Sequence, residues 1–200
     1  EKAAYDLGSD DTYFFRTSPA FVGLSVALAL LAGGVTVAVA GDEEGDKAGA
    51  LLALIPSLGV TFAPFAPRLL EALLDEPDPA RGLASVRVLR SAGEALSAEL
   101  ARRLCAALPS CRLVDGYGTT ETSGVILSAD VSGPGVLGTD TEGGRPLAGV
   151  DLRLVGADGR PGREGEIWVS TPMLATGYLG GESAEDPRFI EEPRDGGGPP

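Results

Sequence analysis

The chain has 200 residues, 29 acidic against 16 basic, a formal net charge of −13 and no histidine. Such a surface repels phosphate backbones and argues against nucleic-acid binding, and the lack of histidine removes His-based triads and the usual zinc ligand sets. Cys105 and Cys111 form neither a CxxC nor a disulfide framework, which fits a reducing, cytoplasmic compartment.

The chain opens Glu1-Lys2-Ala3-Ala4-Tyr5-Asp6, which lacks a basic leader region and reads as a chain already under way. From Thr17 to Gly41 no charged residue occurs, a run long enough to cross a bilayer. Gly33-Gly34 interrupt it. Val22, Val26, Ala29, Leu30 and Gly33 recur at helical spacing before the break, and β-branched Val35-Thr36-Val37-Ala38-Val39 follows. A buried helix, a glycine cap and a buried strand explain this better than a membrane span.

The pattern repeats. After the acidic stretch Asp42–Asp46, Ala48, Leu51, Leu52, Ile55 and Leu58 mark a helix that Gly59 ends. Val60–Ala63 reads as a strand, Pro67 opens a helix carrying Leu69, Leu70, Leu73 and Leu74, and residues 76–82 read as a Pro- and Asp-rich loop. Val86–Leu89 is the next strand. Ser97 caps a helix with Leu96, Leu100, Leu104 and Leu108 in line, Arg102 and Arg103 facing out and Cys105 packed as a thiol. This alternation predicts an α/β fold, a partial parallel sheet with flanking helices. No GxGxxG follows a strand, so a dinucleotide site has no support.

Arg112-Leu113-Val114 and Val125-Ile126-Leu127 bracket a polar, glycine-rich stretch read as a loop at a strand's carboxyl end, where open α/β sheets collect ligands. Gly116 and Gly118 let backbone approach a bound group. Tyr117 offers a flat face, and Thr119, Thr120 and Thr122 offer hydroxyls to phosphate oxygens. Glu121 is a hard oxygen ligand of the kind Mg²⁺ takes when shared with a phosphate. Singly, each residue suits a blander role: a turn, a core-edge ring, a surface charge. From Ser132 the helical period stops. Val150–Val155 alternates, Asp158-Gly159 signals a hairpin and Glu166–Val169 returns. Residues 1–131 thus read as an α/β subdomain, 132–180 as a β-barrel-like segment, with Trp168 and Met173 read as core or barrel packing, and 181–200 as a flexible tail.

Tyr117-Gly118-Thr119-Thr120-Glu121 resembles the Tyr-Gly-x-Thr-Glu signature of the adenylate-forming superfamily. Ser91-Ala92-Gly93-Glu94-Ala95-Leu96 upstream, and Gly144-Arg145-Pro146-Leu147, Gly165-Glu166-Ile167 and Ala175-Thr176-Gly177-Tyr178-Leu179 downstream, resemble further segments in the right order. The likeness is greatest to the adenylation domains of nonribosomal peptide synthetases and runs from Asp11 to Ile190. It implies ATP-dependent activation of a carboxylic acid to an acyl-adenylate, then transfer to a thiol, normally phosphopantetheine on a carrier protein. An acyl-CoA ligase or a non-catalytic scaffold that docks a partner are the alternatives. The resemblance implies that Asp115 accepts from the adenine amino group, Tyr117 stacks on adenine, and Gly93, Glu94 and Ala95 wall the opposite side beside Gly116, Gly118 and Thr119. Thr120 would hold a phosphate oxygen and Glu121 Mg²⁺.

The same transfer lines an acid pocket with Ala20, Phe21, Leu24, Pro64, Arg90, Ala92, Gly116, Gly124 and Val125. Amino-acid-activating relatives carry Asp where Ala20 stands, to bind the substrate ammonium. A neutral Ala there means an acid without an α-amino group, a degenerate site or a gapped alignment. Arg90, at a strand end, either reaches solvent, the favoured reading, or points inward to pair with an anionic group. The family's phosphate loop ending in Lys, its ribose-binding Thr-Gly-Asp and its lysine-bearing C-terminal domain have no counterpart in these residues. The resemblance is therefore to the middle of such an enzyme.

Overall fold

The computed structural model describes residues 2–16, 22–41, 47–132, 144–179 and 188–190. Ala20, Phe21 and the expected tail beyond Ile190 lie outside them. The strands β1 (Thr12–Phe15), β2 (Thr36–Val39), β3 (Phe62–Phe65), β4 (Val88–Ala92), β5 (Arg112–Thr119), β6 (Gly124–Asp130) and β7 (Arg145–Pro146) build one sheet. Its order is β2-β1-β3-β4-β5-β6-β7. The first five run parallel, while β6 and β7 are antiparallel additions. The helices are α1 (Gly23–Ala32), α2 (Ala48–Ser57), α3 (Pro67–Leu74), a short α4 (Pro79–Gly82) and α5 (Ala98–Ala107). Strands β8 (Asp151–Val155) and β9 (Glu166–Ser170) pair as a separate antiparallel hairpin.

Both faces of β1, β3, β4 and the first half of β5 are buried, as near-continuous apolar strands require. The strand expected as buried after Gly33-Gly34 is instead the exposed edge strand β2, where Val39 is 68% exposed because nothing pairs with or covers its outer side among the described residues. On one face, Phe14, Ala63, Leu89 and Leu113 pack with Leu51 and Ile55 of α2, Leu70 and Leu73 of α3, and Leu100 and Leu104 of α5. On the other, Tyr13, Phe15, Phe62, Val88 and Val114 pack with Val26, Ala27 and Leu30 of α1 and with Tyr5 and Leu7. Burying one such side chain contributes about 1.5–3 kcal/mol. Phe62 is fully buried, its centroid 5.4 Å from that of Tyr5 and 5.3 Å from that of Tyr13.

Strand order reverses between β1 and β3, so α1 and α2 leave on opposite faces. Such switch points are where α/β sheets open a crevice at their carboxyl ends. Here β1 meets β3 at Tyr13↔Phe62, and the ladder does not run on to Pro64, which has no N–H to donate. The amino ends are closed by charge. Asp11, just before β1, accepts from the Gly8 backbone N–H at 2.9 Å, the Thr61 hydroxyl at 2.7 Å and the Arg87 guanidinium at 2.8 Å.

Several details depart from the sequence reading. Strand β1, with three consecutive aromatics, and β7 are additions, and α4 lies inside the expected loop. Strands β3 and β4 begin two residues later than expected. Val60 and Val86 are buried, but their N–H groups close turns onto Ile55 and Leu83 rather than joining the ladder. At the end of α1, Gly33 keeps a helical-side φ of −80° and Gly34 takes the left-handed conformation, φ 88°. The β8–β9 hairpin forms around Asp158-Gly159 as expected. A closed barrel is not seen among the described residues. Met173 is 43% exposed and so is not packed inside one.

Candidate functional site

The stretch expected as a loop is half strand. Strand β5 runs on through Asp115 to Thr119, turns at residues 120–123 and returns as β6. The reason is that this segment has partners on both sides: Ala92 of β4 pairs with Gly116, and Leu127 of β6 with Tyr117. The register then shifts by a bulge between Tyr117 and Gly118. Gly118 is obligatory there, because a Cβ would lie 1.9 Å from the Gly124 carbonyl oxygen.

Beside it, β4 ends at Ala92 and the chain turns through Gly93, φ 92°, into exposed Glu94 and Ala95. Two neighbouring strand ends therefore present Gly93–Ala95 and Gly116–Thr119 next to each other. Tyr117 is 43% exposed, so its ring is not consumed by the core. Asp115, half-buried, pairs with Ser91 in register and so faces away from Gly116. Thr119 and Thr120 are exposed, but Thr122 is not available to phosphate. It is 2% exposed, and its hydroxyl accepts from the Thr119 N–H at 3.0 Å and lies 2.9 Å from the Gly124 carbonyl. Thr122 builds the turn.

Glu121 tips that turn. Its backbone carbonyl accepts from the Ala175 N–H at 2.7 Å, and its carboxylate accepts from the Tyr178 hydroxyl. The Tyr178 hydroxyl is the largest influence holding this carboxyl below its ordinary value, with smaller help from the Thr119 hydroxyl and the Arg188 charge. Tyr178 in turn packs edge-on against Phe189, centroids 5.6 Å apart, with the Arg188 guanidinium 4.6 Å from its ring centre. Among the described residues no three His, Cys, Asp or Glu side chains cluster. A cation at Glu121 would thus take most of its ligands from phosphate and water, the habit of Mg²⁺ rather than of a protein-caged metal. One ionised carboxylate beside exposed threonines fits that requirement.

The expected acid-pocket residues converge on the α1 face. Parallel register places Pro64, Arg90 and Val114 on one face, with Ala92 and Gly116 beyond them. Leu24 packs against that same cluster, and a Cβ on Gly116 would touch Val125 at 3.1 Å and the Arg90 Cδ at 3.4 Å. Gly124 begins β6 just beyond. Arg90 does not reach solvent, contrary to the favoured expectation. It is 6% exposed, with its guanidinium carbon 5.3 Å from the centre of the Phe62 ring. The alternation that buries Val88 and Val114 beneath α1 also turns Arg90 inward. A 450 Å³ cavity between α2 and α4, lined by Leu52, Pro56, Glu76 and Arg81 among others, contains none of the expected site residues.

Tyr178 stands within the Ala175–Leu179 motif, which by itself carries no sign of its role. Its side-chain contact with Glu121 spans 57 residues, and no local pattern signals it.

A family profile described as "AMP-binding enzyme" matches residues 2–179. CymA of Salinispora arenicola, named as a nonribosomal peptide synthetase, is 36% identical over 198 residues, which is 96% of this chain and 2% of that protein. Among solved structures, the AMPPNP-bound nonribosomal peptide synthetase FmoA3 superposes with TM-score 0.82 at 26% identity, over 94% of this chain and 21% of that one. PA1221, an NRPS protein containing adenylation and PCP domains, superposes with TM-score 0.80 at 25% identity, over 96% and 39%. The chain thus spans a small part of the length of these relatives. With nearly its whole length matched, it belongs to the AMP-binding enzyme family.

Proposed function

We propose that this chain forms the central part of an adenylation unit, which activates a carboxylic acid with ATP to an acyl-adenylate for transfer to a carrier-protein thiol. The observation that carries the reading is the meeting of Gly93–Ala95, Tyr117 and Glu121 at the carboxyl ends of β4 and β5. Relatives that bind AMPPNP, or that join adenylation and PCP domains, support the nucleotide and the carrier.

When bound, ATP supplies the α-phosphorus that the acid's carboxylate attacks as pyrophosphate leaves. The residues then have positional and electrostatic work to do rather than covalent chemistry. Tyr117 gives adenine a flat face, and the turn at Gly93 opposes it. Asp115 can accept from the adenine amino group. Thr120, with Thr119 beside it, would offer its hydroxyl to phosphate oxygens, and Glu121 would be the carboxylate that holds Mg²⁺. On the α1 face, Leu24, Pro64, Ala92, Gly116, Gly124 and Val125 form an apolar bed for the acid, to which Ala20 and Phe21 belong by sequence. Arg90 places a buried cation beside that bed, which favours an acid with an anionic or strongly accepting group away from the reacting carboxylate. Phosphopantetheine on the carrier is the fitting thiol. Two free cysteines suit a reducing, cytoplasmic setting, and among the described residues no helix is long and apolar enough to cross a membrane.

Calorimetry of Mg·ATP binding to the chain, beside Tyr117→Ala and Glu121→Ala, tests the nucleotide half. Both variants should bind about tenfold or more weakly. Unchanged binding in both would overturn the assignment.

A further inference from the structure

The turn that bears Glu121 is tied twice to a segment far along the chain. The Ala175 N–H fixes the backbone of Glu121 at 2.7 Å, and the Tyr178 hydroxyl fixes its carboxylate. Tyr178 is itself located, edge-on against Phe189 at 5.6 Å and beneath Arg188 at 4.6 Å. Tyr178 is 38% exposed, and its hydroxyl donates to this carboxylate. From this geometry we propose that Tyr178 is a positioning residue for Glu121, orienting its carboxylate for the divalent cation that accompanies the nucleotide. The proposal rests on the metal-holding role given to Glu121 above.

The chemistry suits orientation rather than ligation. A phenol donor occupies one of about four lone-pair sites on a carboxylate and leaves the rest for a cation. It is neutral, so the carboxylate keeps its charge. A lone exposed glutamate samples many rotamers and must be ordered at the moment of binding. A hydrogen bond that orders it beforehand lowers that cost, which is why partners of metal-binding carboxylates typically change metal affinity 10–100-fold when removed. The carbonyl tether from Ala175 fixes where Glu121 stands, and the phenol fixes where its oxygens point.

Mn²⁺ binding to the 200-residue chain with ATP, read by the electron paramagnetic resonance of free Mn²⁺, tests this in wild type, Tyr178→Phe, Tyr178→Leu and Glu121→Gln. Tyr178→Phe keeps the ring against Phe189 and Arg188 and removes only the hydroxyl. The proposal expects it to weaken Mn²⁺ binding about tenfold without lowering the melting temperature, and to shrink the gain in ATP affinity that the metal confers. Wild-type behaviour in Tyr178→Phe overturns the proposal alone, and so does a loss confined to Tyr178→Leu, which would mean packing. If Glu121→Gln binds Mn²⁺ like wild type, or wild type binds none, the metal role of Glu121 falls and the proposal with it.

Discussion

Arg87 Nη2 lies 2.8 Å from Asp11 Oδ2, so a cation from just before β4 and an anion from just before β1 join the amino ends of strands that lie on either side of β3. Thr61 of the segment between them donates to the same carboxylate at 2.7 Å, and Arg87 also donates to the Asp6 carbonyl at 2.9 Å. Burial pushes the Asp11 carboxyl up, but hydrogen bonds from Arg87, Gly8 and Thr61, with the Arg87 charge, outweigh it and hold the group below its ordinary value.

A pH dependence follows. A carboxyl depressed in the folded state stabilises the fold fully above its unfolded value, about 4, and loses that contribution as pH falls through the folded value. Asp11→Asn should cost about 1–2 kcal/mol at neutral pH, a figure kept low because Arg87 is partly solvated. Urea midpoints of wild type and variant should therefore differ near pH 7 and converge as acid titrates the folded Asp11 carboxyl. A gap that stays constant through the acid limb would mean Asp11 contributes through shape alone.

Gly118 and Gly41 make a matched test of the site's backbone. A Cβ at Gly118 would sit 1.9 Å from the Gly124 carbonyl oxygen, while among the described residues nothing lies within 4 Å of one at Gly41. Gly118→Ala must spread the β5–β6 hairpin at its bulge and should destabilise by about 2–4 kcal/mol, within the range of steric strain at constrained backbone. Gly41→Ala should be neutral or stabilising by about 0.5 kcal/mol, because alanine narrows the unfolded ensemble. Thermal melts of both variants, with Mg·ATP titrations, check the pair. Equal effects would contradict the close approach at Gly118.

Much of this was legible in the sequence because the signals are local. Ser97 reads as a helix cap, and its hydroxyl accepts from the Leu100 N–H at 3.2 Å. The leucine spacing of α2, α3 and α5 and the valines of β2 needed only period counting. The ordered motifs carried the family. What escaped depends on register or on distant contacts. Whether residues 115–119 form loop or strand turns on β6 arriving as a partner, which glycine content hides. Arg90 at a strand end has two faces open to it, and only the alignment of β4 between β3 and β5 decides which. Thr122 looks like its neighbours Thr119 and Thr120 until the turn closes around its hydroxyl. The meeting of Tyr178 with Glu121 is tertiary throughout.

Phe62 gives a way to test the two proposed halves of the site apart. It stands fully buried on the α1 face, with Tyr5 and Tyr13 at 5.4 and 5.3 Å and the Arg90 guanidinium 5.3 Å above its ring. Phe62→Leu keeps most of the apolar area but removes the ring that meets all three neighbours, so it should cost about 1–2 kcal/mol from lost aromatic contacts and imperfect fit. It also removes the electron-rich face beneath Arg90, an attraction of about 0.5–2 kcal/mol in a desolvated site. Arg90 is then held less firmly beside the proposed acid pocket. Tyr117, Thr120 and Glu121 lie two strands away, on the β5–β6 hairpin, whereas the ring partners of Phe62 are Tyr5, Tyr13 and Arg90. The expected result is a split: Mg·ATP affinity changes less than twofold, while the ranking of acids in ATP–pyrophosphate exchange shifts away from those with an extra anionic group. Equal loss across all acids, with weakened ATP binding, would show instead that Phe62 supports the whole sheet and that Arg90 plays no part in choosing the acid.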